Sequence, residues 1–141
     1  MTAPYDHQAL WAKAKLFLNR AMDTAPSRSF DEQALWASAA LELLGKAALA
    51  RVSPLLIAEP TEDGVNVLIA TGLIEGTAKF TSVRAATVFK RCARAFRPFD
   101  AGTAQKIADS RDSTYTARAL ASRCWPQSCG GPVSGRRPRF S

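Results

Sequence analysis

Apolar residues recur at helical spacing in four main stretches of the chain, and no stretch carries the alternation and tight turn of a β-hairpin. From Asp6 to about Met22, Leu10, Ala14, Phe17 and Ala21 form a stripe that Trp11 and Leu18 widen, and Asp6 is placed to cap it. Ala25-Pro-Ser-Arg-Ser29 reads as a turn. Asp31 opens a second helix running to about Val52. Its apolar positions, Leu35, Trp36, Ala39, Ala40, Leu43, Leu44 and Ala47, cover so wide a face that the helix is expected at the centre. Both helices begin alike, Asp6-His-Gln-Ala-Leu-Trp-Ala and Asp31-Glu-Gln-Ala-Leu-Trp-Ala. Two copies are too few for a repeat architecture, and we read them as similar helix starts in an Ala-rich chain.

Pro54 ends or kinks the second helix, Leu55-Leu-Ile-Ala58 continues it as a short apolar run, and Glu59-Pro-Thr-Glu-Asp-Gly64 is a surface loop. Val65 to Ala70 suits a strand or a short buried helix; with no partner strand evident, the helix is preferred. Gly72 to Gly76 is a loop. Phe80 to Arg97 then predicts a third main helix, capped by Thr81 or Ser82 and stopped by Pro98, with Val83, Val88, Cys92, Ala95 and Phe96 as its buried seam. Asp100 or Thr103 opens the fourth, with Ala104, Ile107, Ala108, Arg111 and Tyr115 along one side. An arginine on that side needs a partner or a ligand. Residues 117–126 extend this helix briefly at most, and beyond Trp125 periodicity stops. The expected fold is an all-α, up-down bundle of four to five helices over residues 6–116, followed by a disordered basic tail over 117–141. An Arg, Ala, Pro, Gly and Ser mixture is also what a GC-rich coding region yields when read out of frame.

Charge sharpens this picture. The net charge is +7; five arginines and no acid lie in 117–141, which leaves +2 for residues 1–116. The segment Lys79 to Arg97 holds six cations and no acid, so the remaining bundle is acidic. Lys90, Arg94 and Arg97 are spaced i, i+4, i+7, and Arg84 and Arg91 flank them. Like charges four apart weaken an isolated helix by about 0.2–0.5 kcal/mol per pair. A phosphate backbone is the usual user of such a face, and Arg84, Lys90, Arg91, Arg94 and Arg97 are the expected nucleic-acid contacts; a merely solvated basic face is the bland alternative. Glu42 and Lys46, at i, i+4, are most simply a surface salt bridge, or else line a site.

With 141 residues the chain is one domain, or one domain and a tail, and is long enough to bury a core. No apolar stretch approaches the roughly 18–20 residues of a membrane span, and the first residues lack the pattern of a signal peptide, so a cytoplasmic protein is expected. Cys92, Cys124 and Cys129 make a poor disulfide framework. Cys124 and Cys129 would need two further metal ligands, and the single histidine, His7, is distant; neither a metal nor a cofactor is expected.

The helix order with a long connection after the second helix, the run Ala-Leu-Glu-Leu-Leu-Gly-Lys-Ala-Ala-Leu-Ala followed by Val-Ser-Pro-Leu-Leu-Ile, and a last helix bearing Arg111-Asp112 resemble HEPN domains (higher eukaryotes and prokaryotes nucleotide-binding) over about residues 6–116. That family's signature is Arg, then a polar residue, then His, with four to six residues between the Arg and the His. Arg111 and Asp112 match the first two places, but Thr116, Ala117 and Arg118 stand where the His belongs. The resemblance implies a toxin- or defence-like RNA-binding protein that forms a homodimer, with an antitoxin or a nucleotidyltransferase as a candidate partner. It also implies a metal-independent endoribonuclease site in which Arg111 holds the scissile phosphate and the missing imidazole would move protons, with Glu42, Lys46 and Tyr115 as candidate lining. As written, the chain is expected to be catalytically impaired. A non-catalytic helical module that binds nucleic acid, a nucleotide or a protein is the alternative.

Overall fold

A computed structural model describes residues 5–24, 29–76 and 79–111. The expectations for the turn at 25–28, for Asp112 and Tyr115, and for the tail over 117–141 lie outside the described residues. Among the described residues the regular structure is helical: α1 (His7–Met22), α2 (Phe30–Val52), a single 3-10 turn (Pro54–Ile57), α3 (Val65–Ala70), α4 (Ala85–Ala95) and α5 over 101–111. No strand forms there; Ala58 and Ser82 make one isolated antiparallel bridge.

The two similar helix starts take different places. Asp6 is the N-cap of α1 and accepts from the Gln8 N–H at 3.3 Å. At α2 the cap is Ser29, accepting from the Glu32 N–H, so Asp31 falls inside the first turn with Glu32, where acids favour the positive end of the helix. The two helices run antiparallel. Phe17 packs on Trp36 with ring centroids 5.0 Å apart, Arg20 lies 4.8 Å over the same indole, and Gln33 donates to the Asp23 carbonyl. Leu10 and Ala14 are the buried residues of α1, which packs closely on α2, whereas Trp11 and Leu18 are exposed.

α2 is central, as its width predicts: α1, the 3-10 turn and α4 all pack on it. Small residues do the burying, however. Ala34, Ser38, Ala40, Gly45, Ala47 and Ala50 are buried along with Leu49, while Leu35 faces out at 46% exposure. A Cβ built on Gly45 would stand 2.6 Å from Val88 Cγ1, so α2 and α4 meet at a distance only glycine permits. Cys92 Sγ donates to the Gly45 carbonyl at the same contact.

The predicted helix over Phe80 to Arg97 is shorter than its pattern. Residues 80–84 are not helical, and α4 begins after Arg84, whose side chain makes no capping hydrogen bond. The backbone of this stretch is used elsewhere. The Val83 N–H donates to the Ile57 carbonyl at 2.9 Å, and the Glu59 N–H donates to the Thr81 carbonyl at 3.0 Å. Buried Asn66 completes the joint: its amide donates to the Glu59 carbonyl and its oxygen accepts the Thr81 N–H, both at 3.0 Å. Thr81 and Ser82 therefore tie the segment to the 57–59 connection instead of capping a helix. Val83 enters the core from this extended stretch, joined by Val88, Phe89 and Cys92 from α4. Ala95, expected in the seam, is exposed, and Phe96 is half-buried. Pro98 follows the helix across a cis peptide bond. Asp100 then caps α5 through the N–H and hydroxyl of Thr103 and the N–H of Gly102, and Ala104 and Ala108 join the same core.

Gly45→Ala is expected to destabilise the protein by about 1–3 kcal/mol, the usual cost of overpacking, despite alanine's better helix propensity. In a Val88→Ala background the obstructing methyl is gone, and the same substitution should become neutral or stabilising. Urea unfolding midpoints of the four proteins measure this, and additive effects would show that the α2–α4 contact does not require glycine.

Candidate nucleic-acid interface

α4 buries one face and charges the other. Val88, Phe89 and Cys92 point into the core, and at 3.6 residues per turn Lys90 and Arg94 fall on the opposite side, where both are exposed. Arg84 extends the charge before the helix and Arg97 after it, and each is exposed. Among the described residues no ion pair joins any of these four to a carboxylate. The absence of acids from Lys79 to Arg97 in the sequence is the local reason. Arg94 is also in the last turn, where a cation complements the helix dipole.

Arg91 is different. It is half-buried, and its guanidinium Nη1 donates to the Leu56 carbonyl, so it fastens α4 to the 3-10 turn. The five sequence-predicted contacts thus divide into four open cations and one brace.

Glu42 and Lys46 are also a brace. Lys46 Nζ donates to Glu42 Oε1 at 2.6 Å and to Ser82 Oγ at 2.9 Å. The Lys46 side chain is only 12% exposed and that of Glu42 26%, too enclosed for the surface salt bridge expected from spacing alone. The pair holds the stretch before α4 against α2. Arg111 ends the described part of α5, half-buried and engaged in a contact of its own. Its sequence partners Asp112 and Tyr115 lie outside the described residues, as does position 116. Burial pushes the Cys92 thiol above its ordinary value, which makes it packing material rather than a nucleophile.

Sequence reasoning weighed His7 only as a distant metal ligand and gave Arg51, a charge on the central helix, no site role. Both line a cleft between the start of α1 and the end of α2. No linear spacing marks them, because the antiparallel pairing of the two helices is what brings them together.

No protein-family model, no curated protein and no solved structure matches the chain. The chemistry of the α4 face rests on its own residues: fixed positive charge on a rigid helix, suited to a polyanion, with no titrating group built into it.

Removing Arg91 should cost stability, and removing its neighbours should not. Arg91→Ala is expected to lower folding free energy by about 1 kcal/mol through its lost hydrogen bond to the backbone. Lys90→Ala and Arg94→Ala should stay within about 0.5 kcal/mol of the parent. Equal midpoints for all three in urea would contradict the division into brace and open face.

Proposed function

We propose that this chain is an RNA-binding helical protein, HEPN-like and catalytically impaired, that holds the phosphate backbone on the α4 face. The observation that carries this reading is the exposed pair Lys90 and Arg94 opposite the buried side of α4, with exposed Arg84 just before the helix and Arg97 just after it, all unmatched by acids in their own segment. Nearby cations with structural work, Lys46 and Arg91, are drawn inward and hydrogen-bonded, so the exposed four are left with none of that work to do. A flat helix face of fixed charge reads phosphate and not bases, so the binding is expected to be weakly sequence-dependent. Where the resembling family has its catalytic histidine, the sequence has Thr116, Ala117 or Arg118, so the same reading expects binding without cleavage. It also includes the homodimer; the exposed apolar residues Leu18 and Met22 on α1 support a second copy.

Single-stranded RNA of mixed sequence is the probe. If all four cations each neutralise one phosphate, log affinity should fall with log salt at a slope of about −3, and Lys90→Glu with Arg94→Glu should flatten it by about 1.4. Unchanged binding after the double reversal would move the affinity to the tail arginines and overturn the assignment to α4. Strong cleavage of the probe by the unmodified chain would overturn the impaired site. Sedimentation showing only monomer at about 100 μM, where a micromolar association is nearly complete, would remove the dimer.

A further inference from the structure

The cleft between the first turn of α1 and the last turns of α2 has a volume of about 470 Å³, within the roughly 300–1,000 Å³ of small-molecule sites. Its lining is mixed in a particular way. Leu44, Ala47 and Ala48 supply an apolar floor, and the two short alanines are what leave the space. Trp11 forms a wall and is 49% exposed, an indole in solvent where the core has no use for it. Lys15 lies 5.7 Å from the centre of this indole. Arg51, Gln8 and His7 supply the polar groups. Arg51 is exposed, in the last turn of α2, and no described carboxylate pairs with it. One acid stands close: Asp6 Oδ1 lies 3.6 Å from His7 Nδ1 and also accepts the Gln8 N–H as the α1 cap. Asp6 is thus an acid at the edge of a cleft whose fixed cations are Arg51 and, over the indole, Lys15.

We propose that this cleft binds an aromatic monocarboxylate, its planar body on the Trp11 wall and the alanine floor and its carboxylate on Arg51. A guanidinium meets a carboxylate with two parallel hydrogen bonds, and the Asp6 carboxylate at the edge of the cleft disfavours a doubly charged anion such as a phosphate dianion. Among the described residues only α1 and α2 line the cleft, so the site is separate from the α4 face, and the proposal does not rest on RNA binding.

His7 is the only histidine in the chain, so its Cε1–H proton gives one unambiguous NMR signal in the cleft. The probe is 1-naphthoate, with 1-naphthalenemethanol as the uncharged control and acetate as the control lacking an apolar body. The expected result is a saturable His7 shift with naphthoate at a dissociation constant of about 1 mM or tighter, and binding of either control at least tenfold weaker. Arg51→Gln, folded by its amide dispersion, should weaken naphthoate about tenfold or more, the scale of one charge-assisted hydrogen bond. Ala48→Phe, which fills the floor and leaves Arg51 in place, should abolish the shift and serves if the first variant unfolds. Lys90→Glu with Arg94→Glu should leave naphthoate binding unchanged, which separates this result from the RNA reading. No saturable shift, equal binding of the alcohol, or undiminished binding by a folded Arg51→Gln protein would overturn the proposal.

Discussion

The close approach of α2 to α4 at Gly45 is the constraint on which the rest of the molecule depends. With a side chain there, Val88 could not lie this near the α2 backbone, and the Cys92 thiol, which donates to the Gly45 carbonyl, shares the same approach. Val88 is fully buried and Phe89 nearly so, and both depend on α4 lying this near. The same docking fixes which way α4 faces. Once Val88, Phe89 and Cys92 are committed inward, Lys90 and Arg94 have no direction left but solvent. The position of the basic face is thus a consequence of packing between two helices, decided by the one residue that has no side chain.

A second layer of constraint holds the approach to α4. The chain between the 3-10 turn and α4 must supply partners for backbone groups that are not in a helix, since an unmet buried polar group costs about 1–3 kcal/mol. Asn66 satisfies two of them with one side chain, and the pairing of Ile57 with Val83 and of Glu59 with Thr81 meets two more. Lys46 adds a bond to Ser82 from α2. Among the described residues no buried side-chain nitrogen or oxygen lacks a partner. Neighbouring polar residues of similar type therefore end in opposite roles, according to whether an orphaned carbonyl or hydroxyl lies within reach.

This explains what was legible in the sequence. Helices α1, α2 and α5 were readable because local signals agree with the final packing: Asp6 and Asp100 cap, apolar residues recur, and Pro54 breaks; the α3 pattern suits strand or helix alike, and helix is preferred there only for want of a partner strand. The start of α4 was not, because Phe80 to Arg84 fits a helical pattern and the competing hydrogen bonds come from Ile57, Glu59 and Asn66, far away in the chain. The burial pattern of α2 was misread for a related reason. Periodicity weights large apolar residues such as Leu35, whereas the interface selects small ones that let helices approach. The basic face was visible in advance as charge without acids, but the separate role of Arg91 was not, since its acceptor is a backbone carbonyl with no sequence signature. The cleft holding His7 and Arg51 is wholly a product of the antiparallel pairing of α1 and α2.

The distribution of cations completes the argument. Arg20 lies over Trp36, Lys46 is enclosed with Glu42 and Ser82, and Arg91 holds the 3-10 turn; each is accounted for by a contact that stabilises the fold. Arg84, Lys90, Arg94 and Arg97 are not accounted for in that way, and the repulsion between Lys90 and Arg94, four apart on α4, opposes the helix that carries them. A helix needs neither their charge nor their clustering to bury Val88, Phe89 and Cys92; neutral or alternating residues would serve as well. The cost is modest, a few tenths of a kcal/mol for a like-charged pair at helical spacing, and no acid in the segment offsets it. An external polyanion removes it, because each bound phosphate turns a repulsive neighbour into a shared partner. The physical case for a phosphate ligand on α4 is therefore the same fact as the physical cost of α4 in isolation.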